Sequence, residues 1–321
     1  MAIRNVPYFF GRLNLIAFFE DKYEYVLKGF QGGKIIQIRG SGWGFFETEE
    51  LEDSSGRWIY GYLVKYKPET EEEKVVLETQ QIEDEAVKDR VVAKSRFFIH
   101  VESGIIAYHP ISNKISRMQF AENFVEVFKA NHDKFFVNSE LLSIEEEYEI
   151  LETLRRFTKI QEVNVYLHPS NPSNRDMWER TDQRIKALNA ASYQEKIEAK
   201  PNSSGLNILS DEETTGKIAM AVDGYGKALV TGILDGETKT ISTDDNPIST
   251  QAPNDEASVN DIFQTILLTF HAIKSRFQNG NGKSDGKKSE RTTQEQQSKT
   301  ETQIIRLDED DSDKQEPQDK H

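Results

Sequence analysis

The stretch RFFIHVESGIIAYHP, residues 96–110, constrains this chain more than any other. Two apolar runs flank Glu102-Ser103-Gly104, a short glycine-containing loop of the kind that joins antiparallel strands. Ser116 and Gln119 then stand at capping-box spacing, where each side chain satisfies an orphan backbone N–H at a helix start. Phe120, Phe124 and Phe128, with Ala121 and Val125, give the stripe of a helix packed on a sheet. Strand, loop, strand and covering helix form one supersecondary unit, which points to an α+β fold.

The segments around this unit extend the pattern. Upstream, strands are expected over Leu13–Phe19, Lys34–Arg39, Gly44–Glu47, Trp58–Tyr66 and Val91–Ala93, punctuated by QGG, GSGWG and DSSG. Residues 69–90, ETEEEKVVLETQQIEDEAVKDR, read as an exposed helix or a charged loop. Downstream, Ser143 with Glu146, Ser173 with Asp176, Ser210 with Glu213 and Ser258 with Asp261 each mark a helix start. Val163, Val165 and Leu167 alternate as a strand, and Tyr193–Ala199 is another. Asp235-Gly236 is a dipeptide suited to the positive φ of a type I′ hairpin turn. The helix opened by Ser258 is apolar around most of its circumference, so it is expected to be buried or at a dimer interface.

The resulting fold class is α+β, with mixed, mainly antiparallel sheets and covering helices in two subdomains. Residues 1–137 form a β-rich subdomain ending in the hairpin–helix unit, and 138–278 an α+β subdomain with the late apolar helix. Residues 279–321 lack the apolar content to offset ordering entropy and read as a disordered acidic tail. Within that tail, Ile304, Ile305 and Leu307 before an acidic run are either a short docking motif or an accidental apolar triplet.

Several functional classes are excluded. There is no cysteine, so disulfides, thiolate metal sites and cysteine nucleophiles are ruled out. The apolar patch near the start is broken by Arg12, Asn14, Glu20 and Asp21, and no signal peptide or membrane span is expected. A soluble cytoplasmic protein follows. A net charge of −15 opposes charge-driven binding of polyanions without excluding a local basic face.

HisPro occurs twice, in AYHPISN (107–113) and YLHPSN (166–171). Proline pushes the preceding residue into extended backbone, so His109 and His168 close strands and the residues after them turn the chain. A metal cluster needs about three or four converging ligands. The six histidines show no i, i+3 or i, i+4 pair, and a three-residue loop puts His100 and His109 on opposite sheet faces. No metal and no cofactor is expected, and neither a nucleophile elbow nor a phosphate loop is present. Asp223, before GYG, resembles a site residue, although a helix-capping Gly224 explains the same pattern.

What remains is a basic cluster near the two corners: Lys114, Arg117, Arg155, Arg156, Arg175, Arg180, Arg184 and Lys186. Arg180 and Arg184 share a helix face. They either contact phosphates or pair with Glu179 and Asp182 on a solvated face.

In the order of its elements, residues 10–277, and above all RFFIHVESGIIAYHPISNKISRMQFAENFVEVF, the chain resembles phage-exclusion proteins of the RexA type and similar bacterial anti-phage defence proteins. The resemblance implies a self-associating protein that contacts DNA without sequence preference. It also implies a second defence component as partner, such as a membrane protein. The expectation is therefore a non-enzymatic sensing component of defence; the alternative is a protein–protein adaptor or inhibitor acting through its acidic surface and tail.

Overall fold

The computed structural model describes residues 3–16, 22–76, 81–132, 138–170 and 175–277. In chain order the elements are β1 (Asn5–Ile16), α1 (Lys22–Gln31), β2 (Ile36–Ile38), β3 (Ser41–Asp53), β4 (Gly56–Val76), β5 (Gln81–His100) and β6 (Ile105–Tyr108). There follow α2 (Arg117–Asn131), β7 (Asn138–Ser143), α3 (Glu147–Arg156), β8 (Phe157–Leu167), α4 (Glu179–Ala187) and β9 (Tyr193–Glu198). The described elements close with α5 (Glu212–Met220), a π-turn (Ala221–Tyr225), β10 (Gly226–Leu234), β11 (Glu237–Ser242), β12 (Ser249–Pro253) and α6 (Val259–Ser275).

The fold is α+β, with two antiparallel sheets. The larger runs β12-β1-β6-β5-β4-β3-β2, with β7 also on β1; the smaller runs β11-β10-β8-β9. Alternation along the strands divides the large sheet between two cores. Leu13, Ile59, Phe97 and Ile99 face α1 and α2, where Phe120, Phe124 and Phe128 complete the layer. Tyr8, Phe10, Trp58, Tyr60 and Phe98 face α6, meeting Phe263, Ile266 and Phe270. Both faces are covered, which is why FFI reads as one continuous apolar run. The small sheet packs Val163, Val165 and Leu167 with Leu154, Trp178 and Ile218 from α3–α5.

β7, β12 and α6 all lie on the large sheet, so sheet membership does not change once at 137/138: the chain leaves after β7 and returns at β12. The late helix is buried against that sheet, as its apolar circumference predicts. Among the described residues no helix is long and apolar enough to cross a membrane. The expected tail, 279–321, lies outside the described residues.

Four expectations differ. The acidic segment 69–90 is neither helix nor loop: where described, its backbone continues β4 and β5 as a two-stranded ribbon out to Val76 opposite Gln81. Pro68 is tolerated because the rung it would share with Asp89 is absent, and Asp89 turns to φ 53° there. β1 begins at Asn5 rather than Leu13, because β12 pairs with its first residues. Ser143 caps no helix; it is the last residue of β7, paired with Gly11, and α3 starts later without a side-chain cap. α5 is capped by Asp211 rather than Ser210, and Ser173 lies outside the described residues.

Candidate functional site

The corners resolve first. Ile99 pairs with Ile106 and Phe97 with Tyr108, so the hairpin loop is one residue longer than expected. Gly104, at φ 69°, donates its N–H to the His100 carbonyl and closes this wider turn. The shift puts His100 and His109 on the same face, correcting the sequence expectation. They still do not converge. His109 Nδ1 bonds the Pro7 carbonyl at 2.9 Å, whereas His100 reaches Ser103 Oγ at 2.8 Å and the Ser55 carbonyl at 3.0 Å. Burial pushes both imidazoles below the ordinary histidine range. His168 sits in the other half, between the Ala191 carbonyl at 3.2 Å and Glu140 at 3.1 Å. Among the described residues no group of three or more His, Asp or Glu is arranged to hold a metal.

Asp223 lies in the π-turn, wholly buried, beside Gly224 at φ 82°. Its Oδ2 accepts Trp178 Nε1 at 2.8 Å and Arg175 Nη1 at 3.3 Å, and Arg276 approaches Oδ1 at 3.9 Å. Burial raises the Asp223 pKa against the opposing pull of Arg175, Trp178 and Arg12. Arg12, also wholly buried, donates Nε to the Asp223 carbonyl at 2.9 Å and lies over the Tyr225 ring at 4.2 Å. This hub ties β1 to the π-turn, and its hydrogen-bond partners differ from those of His168.

The eight basic residues separate into three groups. Arg155 pairs with Glu152 and Arg156 with Asp235. Arg175 is held bidentately by Glu147 at 2.9 and 3.0 Å, as well as by Asp223. Lys186 is bound to Asp182 at 2.6 Å. Lys114 is exposed, and Arg117 lies over the Phe9 ring at 5.0 Å; neither lines the cleft beside α4. Arg180 and Arg184 are exposed, and neither has an ion pair among the described residues.

Their isolation has a cause. Asp182, one candidate partner, is buried and turned inward, accepting the Ser170 N–H at 2.6 Å and Oγ at 2.7 Å besides Lys186. Glu179 accepts Gln183 Nε2 at 2.9 Å. The two arginines instead line a cleft of about 620 Å³ between α4 and α5. The opposite wall carries Glu212, Glu213 and Lys217, and Tyr193 of β9 closes one side. Lys217 is buried and spoken for, bonded to Glu213 at 2.7 Å and to Glu195. Burial works against it, but hydrogen bonds from Lys217 and Tyr193 keep the Glu195 carboxyl below its usual range. Sequence reading missed this second wall; the i, i+4 spacing of Glu213 and Lys217 was its only signal.

Residues 10–268 match a family model described as a domain of unknown function, DUF4747. No curated protein matches the chain.

Proposed function

We propose that this chain, which belongs to the DUF4747 domain family, is a non-enzymatic binding component that contacts nucleic-acid phosphates through the α4 wall of the cleft. One observation carries the reading: Arg180 and Arg184 stand a turn apart on an exposed wall while the nearby Asp182 carboxylate is committed elsewhere. Unpaired guanidiniums at that spacing suit adjacent phosphate oxygens, and phosphate contacts carry no base sequence. The resemblance of its order of elements to phage-exclusion proteins favours placing such a component in bacterial anti-phage defence, self-associated and acting with a second component, and we place it in the cytoplasm.

With −15 overall, affinity must come from the local wall and should fall steeply with salt. R180E/R184E should abolish DNA retention in a low-salt gel shift. R155E/R156E should leave most of it, since those cations already pair with Glu152 and Asp235. Unchanged retention in R180E/R184E would remove the reading. It would favour the adaptor alternative, for which the ribbon of β4 and β5, acidic in sequence and paired with no third strand beyond Tyr66 and Val91 among the described residues, is the natural contact.

A further inference from the structure

We infer that the α4–α5 cleft takes a single unstacked nucleotide, with its phosphate on Arg180 and Arg184 and the amino group of its base on Glu212. This rests on the phosphate-contact reading above and narrows it from nucleic acid in general to single strands.

The argument begins with shape. The cleft, about 620 Å³ and partly open to solvent, falls in the volume range of small-molecule sites. A duplex, whose bases are stacked inside a broad convex cylinder, cannot enter it, whereas one splayed nucleotide can. Charge gives the second constraint. The α4 wall offers two guanidiniums without a close ion pair among the described residues, Arg184 feeling only the field of Glu195, and the facing α5 wall begins with Glu212 and Glu213. A continuous phosphate ridge laid across the cleft would bring further phosphates against those carboxylates. One phosphate fits the basic wall, and the group reaching the acidic wall must be a hydrogen-bond donor.

Glu212 is exposed and has no hydrogen bond or ion pair among the described residues, whereas Glu213 is held by Lys217 at 2.7 Å. A free carboxylate accepts an exocyclic amino group such as N4 of cytosine. Thymine presents no amino group there. Tyr193 adds a platform. Its hydroxyl is tied to Glu195 at 2.8 Å and Lys217 Nζ sits over one face of the ring, 5.6 Å from its centroid, so the ring is held before a base arrives. Stacking on a fixed aromatic face is tolerant of base identity and adds affinity for unstacked bases alone.

Fluorescence anisotropy with labelled oligo-dC, oligo-dT and a duplex of equal length tests this on the full chain. Single strands should bind at least about tenfold tighter than duplex, and dC several-fold tighter than dT. E212Q should erase the dC-over-dT preference, and Tyr193→Leu should weaken dC several-fold where Tyr193→Phe does not. Equal binding of duplex and single strand, lost in R180E/R184E, would overturn this inference and leave the phosphate reading standing. No binding of any oligonucleotide would overturn both.

Discussion

Glu145, wholly buried after β7, accepts the Asn246 N–H on Oε2 at 2.7 Å and leaves Oε1 without a hydrogen bond among the described residues. Burial pushes its pKa up to about 8. An acid whose pKa is raised by folding is protonated in the folded chain where the unfolded chain has already ionised. Stability must therefore fall as pH rises from the ordinary carboxylate range towards about 8, and level off above it. The slope from one such group is at most about 1.4 kcal/mol per pH unit. E145Q should flatten it, as read from urea midpoints between pH 5 and 8. Side chains of this kind were the least legible in sequence. Asp223 attracted attention beside its glycines, but whether a carboxylate faces solvent or three arginines depends on residues far along the chain, here Arg12, Arg175 and Arg276. Arg180 and Arg184 were recognisable as a shared helix face. Their freedom was not, because it follows from Asp182 turning inward to Ser170.

Elements were easier to read where the local signal was redundant. Ser116 and Gln119 make both bonds of the capping box, and the phenylalanine stripe behind them points the same way. Ser143 and Glu146 have the same spacing and make no cap, because pairing of β7 with β1 holds Ser143 in a strand. The pattern only offers a helix start; tertiary pairing decides whether it is used. Ser116→Ala should cost about 1 kcal/mol by denaturant titration, whereas losing the Ser143 hydroxyl removes no capping bond and should cost less. The same competition explains residues 69–90. Their charge favours a helix or loop, yet the backbone carries the pairing begun at Trp58 and His100 outward, past a register shift at Lys65/Tyr66 and the absent rung at Pro68. The hairpin at Asp235-Gly236 was read correctly because both residues take positive φ, 54° and 86°, and the dipeptide signals it.

On the scale of the whole molecule, the fold class was legible and the long-range pairing of strands was not. Periodicity shows which residues are buried, but not that β12 returns to lie beside β1 or that α6 roofs the far face of the first sheet. Phe263 and Phe270 close on Trp58 at 5.1 and 4.6 Å, joining segments about 200 residues apart. A chain terminated at Ser258 would leave Tyr8, Phe10, Trp58 and Phe98 without their roof. It should elute as aggregate in size-exclusion chromatography and show no cooperative melt; a monomeric, cooperatively melting fragment would show that the sheet stands without α6. The pairing of Asn5 with Pro253 carries a further consequence for biosynthesis. Strand β1 waits for β12, which lies roughly 230 residues further along the chain, before one of its edges is filled. Until β12 is made, the nascent protein carries sticky, half-finished β structure, and its yield in the cell should depend on whatever shields it during that interval.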